Sequence, residues 1–138
     1  HMNEAIRLSF ETMRNNTGGP FGAVVVKDGK VIARGFNKVI SSNDPTAHAE
    51  MQAITSACNH FNAKYLPECT LYVTLEPCPM CAAASYWAQI GRIVYAATDP
   101  KMGFSRHQHI LHPKTAISQG VGAEKSQILL KNFFVGKR

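Results

Sequence analysis

Two short stretches hold the residues best suited to chemistry, Thr46-Ala47-His48-Ala49-Glu50 and Glu76-Pro77-Cys78-Pro79-Met80-Cys81. His48, Cys78 and Cys81 are zinc-ligand types, and three is the number a catalytic zinc uses when its fourth position stays open to water. Glu50 stands two residues after His48, near enough to handle that water's protons. Singly, each piece has a plainer reading. A C-x-x-C pair also serves redox proteins, a lone helical histidine is commonly an ordinary half-buried residue, and a closed structural zinc site needs a fourth ligand. Cys58, Cys69, His60, His107, His109 and His112 are the spare ligands, and none forms a second C-x-x-C or an H-x-x-x-H. The order and spacing of the whole set favour a catalytic zinc. Cys58 and Cys69 read as buried structural thiols.

These residues need rigid supports. Asp44 as N-cap and Pro45 as first helical residue would start a helix running to residue 60, burying Ala49, Ala53, Ile54 and Ala57 and placing His48 in its first turn. Pro77 would open a second site helix carrying Cys78 and Cys81 in its first turn. Helix N-termini carry free N–H groups and partial positive charge, which favour thiolates.

The rest of the chain supplies the frame. Ile6, Phe10 and Met13 mark one face of a helix over residues 3–15, with Ala5 and Leu8 beside it, and Asn16-Thr17-Gly18-Gly19-Pro20 ends it. The mostly apolar run 21–26 and the returning run 31–36, joined at Asp28-Gly29, predict a hairpin. Asn37 follows, then a loop over residues 38–43. Strands are expected over residues 70–75, 92–97 and 115–121, a polar loop over 99–113, and a closing helix over 122–134 with Ile128, Leu129 and Phe133 on one side. A hairpin followed by alternating helices and strands implies an α/β fold: a mixed five-stranded sheet flanked by helices in three layers. The 138 residues, 45% of them hydrophobic, suit one domain. His1-Met2 reads as a cloning remnant.

No apolar run reaches the roughly 20 residues of a membrane helix, so no membrane partner is expected. Four cysteines without a recognisable export signal point to metal or thiol chemistry and to the cytoplasm. The net charge of +6 permits a nucleic-acid partner without demanding one.

The H-x-E and P-C-x-x-C elements, in this order, match the signature of zinc nucleobase deaminases, and the chain resembles the cytidine-deaminase-like superfamily along nearly its whole length. Gly19-Pro20-Phe21-Gly22-Ala23-Val24-Val25-Val26-Lys27-Asp28-Gly29, the stretch from Ser42 to Glu50, Pro77-Cys78-Pro79-Met80-Cys81 and Tyr86-Trp87-Ala88 look like bacterial guanine deaminases. Thr70-Leu71-Tyr72-Val73-Thr74-Leu75-Glu76-Pro77-Cys78, Ile90-Gly91-Arg92-Ile93-Val94-Tyr95, Leu111-His112-Pro113-Lys114-Thr115 and Asn132-Phe133-Phe134 look more like bacterial tRNA adenosine deaminases. The chain departs from both. Ser105-Arg106 stands where guanine deaminases carry an acidic pair, and Phe21 and Pro79 stand where the tRNA enzymes usually carry a small aliphatic residue and valine.

The resemblance implies a zinc-dependent hydrolytic deaminase working as a homodimer. His48, Cys78 and Cys81 would hold Zn2+, which lowers the pKa of a water. Glu50 would carry that water's proton to a ring nitrogen and then to the leaving amine. Asn37 would hydrogen-bond the base, the backbone near Ala47 and Cys78 would surround the ring substituents, and Phe21 would line the pocket. The residues alone allow plainer roles: a strand-end turn for Asn37, core for Phe21, and interface or core for Trp87. The substrate expected first is a free purine or related small heterocycle. The alternative is the wobble adenosine of a tRNA, with Lys101, Arg106, Lys114, Lys131, Lys137 and Arg138 as its basic surface. A zinc-stabilised interaction module would have no use for Glu50.

Overall fold

The computed structural model describes residues 1–14, 19–107 and 109–135, with the side chains of 133–135 left out. A hairpin of β1 (Gly22–Lys27) and β2 (Lys30–Phe36) turns at Asp28 and Gly29. Both turn residues have positive φ, 51° and 75°, as a two-residue hairpin loop with the native strand twist requires. β1 also pairs antiparallel with β3 (Thr70–Leu75), which lies parallel to β4 (Arg92–Ala97), itself parallel to β5 (Ala116–Gln119). The mixed sheet therefore runs β2-β1-β3-β4-β5.

Alternate strand residues feed two cores. Ala23, Val25, Leu71, Val73, Ile93 and Tyr95 pack with Ala49, Ala53, Ile54 and Ala57 of α3 (Ala49–Phe61) and with Ala82 and Ala88 of α4 (Pro79–Ala88). Val94 and Ala96 pack on the opposite side with Met2, Ala5 and Ile6 of α1 (Met2–Arg14), joined by Tyr72 and by Leu129 of α5 (Ala123–Val135). A strand buried on both faces reads as a continuous apolar run, which is why Ala23-Val24-Val25-Val26 shows no polar alternation. Each of these valine side chains contributes about 1.5–3 kcal/mol on burial. The expected three-layer arrangement, a five-stranded mixed sheet flanked by helices, is the one observed.

Several expected boundaries move, each for a physical reason. The second long helix starts at Ala49 and not at Pro45. Asp44 Oδ1 instead accepts from the Thr46 N–H and hydroxyl, at 2.8 and 2.7 Å, closing a local turn. Ala47 accepts from the Lys38 N–H and donates to the Asp44 carbonyl. The Cys helix starts at Pro79, because a residue preceding proline is disfavoured in the α region and Cys78 is extended (φ −71°, ψ 169°). The loop after Asn37 contains a one-turn helix, α2 (Val39–Ser42), and the polar loop contains a 3-10 turn, Phe104–Arg106. β5 stops at Gln119, before Gly120 at φ 86°.

On α1 the buried face is Ala5, Ile6, Ser9 and Thr12, and Phe10 is 44% exposed. Ser9 and Thr12 donate to the Ile6 and Leu8 carbonyls, which satisfies their hydroxyls inside the core. Met2 is buried and takes part in this packing. Part of the turn expected at residues 16–20 and the expected side-chain placement of Phe133 lie outside the described residues. Among the described residues no helix is long and apolar enough to cross a membrane.

Candidate active site

Two helix N-termini and the end of β3 meet around one cavity. His48 is the N-cap of α3 and Cys78 the N-cap of α4, with Cys81 in the first turn of α4. His48 and Cys78 thus precede the first turns in which they were expected, and neither caps its helix with its own side chain. Gly35 of β2 sets how close α3 comes, since a Cβ there would overlap the Ala49 carbonyl oxygen and press on the Ala53 nitrogen.

His48 Nδ1 lies 3.6 Å from Cys78 Sγ and 3.4 Å from Cys81 Sγ. Tetrahedral zinc bonded to one nitrogen and one sulfur at ordinary lengths separates them by about 3.6 Å. All three ligand atoms lie within 4.8 Å of one another, and among the described residues no other group of three such ligands does so. The donors therefore fit zinc in both chemistry and spacing, with three protein ligands and room for a fourth.

The cysteines differ in their hold on the proton. A thiol hydrogen bond from Cys81 pulls Cys78 down to about 5 against its own burial, helped by the Cys81 and Met80 backbone N–H groups and by His48. That same bond, with burial and the nearby Glu50, pushes Cys81 up. The pair thus presents one ready thiolate, and the second proton leaves as metal binds. Glu50 lies beside them, 7% exposed. Burial holds its carboxyl above the usual range, and its own backbone N–H opposes this.

A cavity of about 220 Å³ opens over this group. His48, Glu50 and Cys78 line it, with Phe21, Asn37, the end of β3 (Val73, Thr74 and Leu75), Glu76, Asp99 and Met102. Asn37 serves two ends: its Oδ1 accepts from the Val39 N–H at 3.1 Å, and it lines the cavity. Phe21 is half-buried on the wall and also packs against the core. Ala47 is buried beside His48 but does not line the cavity.

His107 and His109 are exposed and line no part of the cavity, and Trp87, 76% exposed, does not line it either. Trp87 is thus no core residue. Cys58 and Cys69 are free thiols away from the site, both raised by burial. Besides the end of β3, Glu76, Asp99 and Met102 are the wall residues to which the sequence reading gave no role. Their only sequence signals are the position of Glu76 before Pro77-Cys78 and the Asp99-Pro100 turn after an apolar strand.

Residues 1–97 match the family of cytidine and deoxycytidylate deaminase zinc-binding regions. The chain belongs to this family of zinc-binding deaminases. It is 52% identical over 96 residues to guanine deaminase of Bacillus subtilis, a match spanning 70% of this chain and 62% of that one. The structure of that enzyme superimposes with a TM-score of 0.69. The chain is 45% identical over 127 residues to tRNA-specific adenosine deaminase of Agrobacterium fabrum, spanning 86% and 82% of the two chains. A solved structure of a tRNA:A34 deaminase, which edits A to I at the wobble position, superimposes with a TM-score of 0.86 at 39% identity over 94% of this chain and 97% of that one.

Proposed function

We propose that this chain hydrolytically deaminates an amino-substituted purine, held as a free base in the cavity beside Glu50. The observation that carries the reading is the cavity's size and lining. At about 220 Å³ it is smaller than the roughly 300 Å³ at which pockets for drug-sized ligands begin, which suits one base ring system. Phe21 offers an aromatic wall to that ring. Asn37, whose side-chain NH2 has no partner among the described residues, offers a polar contact.

Zinc held by His48, Cys78 and Cys81 would supply the Lewis acidity that brings a water's pKa toward neutrality. Glu50 takes the proton of the attacking water and delivers it to a ring nitrogen as the water oxygen adds to the carbon bearing the amino group. The remaining hydroxyl proton then passes through Glu50 to the amine, the C–N bond breaks, and ammonia leaves as the ring carbonyl forms. A carboxyl group held above its ordinary range by burial keeps a proton more readily than an exposed one, which suits a group that must both take and deliver one.

A second reading, adenosine in a tRNA anticodon, has its own support: the likeness to tRNA-specific adenosine deaminases extends along nearly the whole chain. Lys101, Arg106, Lys114 and Lys131 are exposed, while Lys137 and Arg138 lie outside the described residues. Ammonia release from guanine, adenine, cytosine and their nucleosides, set against an anticodon stem-loop with adenosine at the wobble position, separates the two. The proposal expects turnover of a free purine that barely responds to salt. Conversion only in the stem-loop, weakening steeply with salt as phosphate contacts require, would overturn it. As for the setting, the family likeness supports a homodimer and the cysteine usage supports the cytoplasm.

A further inference from the structure

Glu76 is a buried carboxyl group, 3% exposed, with no salt-bridge partner among the described residues. Two backbone N–H groups satisfy it instead: that of Asp99 donates to Oε1 at 3.1 Å, and that of Ser105 donates to Oε2 at 2.9 Å. The two donors stand at opposite ends of one loop. Between them Asp99 Oδ1 accepts from the Lys101 and Met102 N–H groups, and the Gly103 N–H donates to the Asp99 carbonyl. Gly103 passes so close to the carboxylate that a Cβ would overlap Oε2. The Phe104 N–H donates to the Pro77 carbonyl at 2.9 Å, fastening the loop to the segment that leads into Cys78. Asp99 and Met102, which this loop carries, form the cavity wall contributed from beyond β4.

We propose that Glu76 is a positioning residue that staples the two ends of the 99–105 loop and so sets the far wall of the substrate cavity. Both partners are backbone N–H groups, which only donate, so the staple needs a side chain that only accepts. Glutamine would turn one oxygen into an NH2 group facing an N–H donor. Aspartate would fall one methylene short. Each carboxylate oxygen accepts one backbone N–H of the loop, so this acid organises the pocket wall. The inference builds on the deaminase reading for its kinetic consequence only.

Glu76→Gln and Gly103→Ala test it, with three readouts on the full zinc-loaded chain: zinc content, hydrogen exchange at the Asp99 and Ser105 amides, and kcat and KM on whichever substrate the wild type turns over. Both variants should keep wild-type zinc content and speed exchange at those amides by about tenfold or more. A wall that touches the substrate equally in ground and transition state should raise KM about tenfold and leave kcat within about threefold. Unchanged exchange, or loss of zinc from Glu76→Gln, would overturn the staple. So would a fall in kcat with KM and exchange unmoved, which would place Glu76 at the reacting atoms. If the wild type turns over none of the substrates, the deaminase reading fails, while the zinc and exchange results still decide the staple.

Discussion

Cys81 is the ligand with the least freedom. It is 1% exposed, lies in the first turn of α4, and holds its Sγ 3.4 Å from His48 Nδ1. Removing its sulfur leaves two ligands, too few to hold zinc against solvent. Cys81→Ala should lose both metal and turnover, measured by elemental analysis and ammonia release, while full zinc occupancy would remove Cys81 from the ligand set. His48, Glu50, Cys78 and Cys81 were legible in the sequence because their chemistry depends on local spacing: each pair sits within a few residues at the start of one helix. Glu76, Asp99 and Met102 were not legible. They meet only because residues 99–105 fold back across the end of β3, a long-range event that no short motif encodes. Asn37 lies between these cases, combining the turn role its type suggests with a place on the cavity wall.

At the scale of elements, the site exists because α3 and α4 present their N-termini side by side. The approach of α3 depends on Gly35, whose missing side chain lets the Ala49 carbonyl sit against β2. Gly35→Ala should displace the first turn of α3, costing about 1–3 kcal/mol in urea unfolding as other overpacking changes do. It should also speed zinc loss to a chelator, because His48 immediately precedes that turn. Unchanged stability and zinc retention would show that the close approach is not needed. Strands and helices with strong patterns were legible, β3 and β4 to the residue. Helix starts were less so, since Asp44-Pro45 serves equally as a cap or a local turn, and only the bonds of Ala47 to Lys38 and Asp44 decide between them. Phe10 was misplaced because periodicity counts apolar residues, whereas α1 buries Ser9 and Thr12, whose hydroxyls bond to its own backbone.

At the scale of the whole molecule, a mixed sheet with helices on both faces follows from hydrophobic patterning, while the strand order is visible only in the structure, and together they carry the metal-ligating residues to one end of the central strands. The net charge of +6 does not by itself define a surface, so it leaves the choice between a free base and an RNA to experiment. Both substrates need the same chemistry, and Glu50 is the residue through which every proton in the account passes. Glu50→Gln should bind zinc as the wild type does, since it leaves the three ligand residues in place. Its ammonia release should fall by about 100- to 10,000-fold, the range by which a positioned acid–base group contributes. Zinc content and turnover measured together on this variant test the account most directly. Full zinc with turnover nearly abolished is the expected result, and full zinc with near wild-type turnover would contradict it.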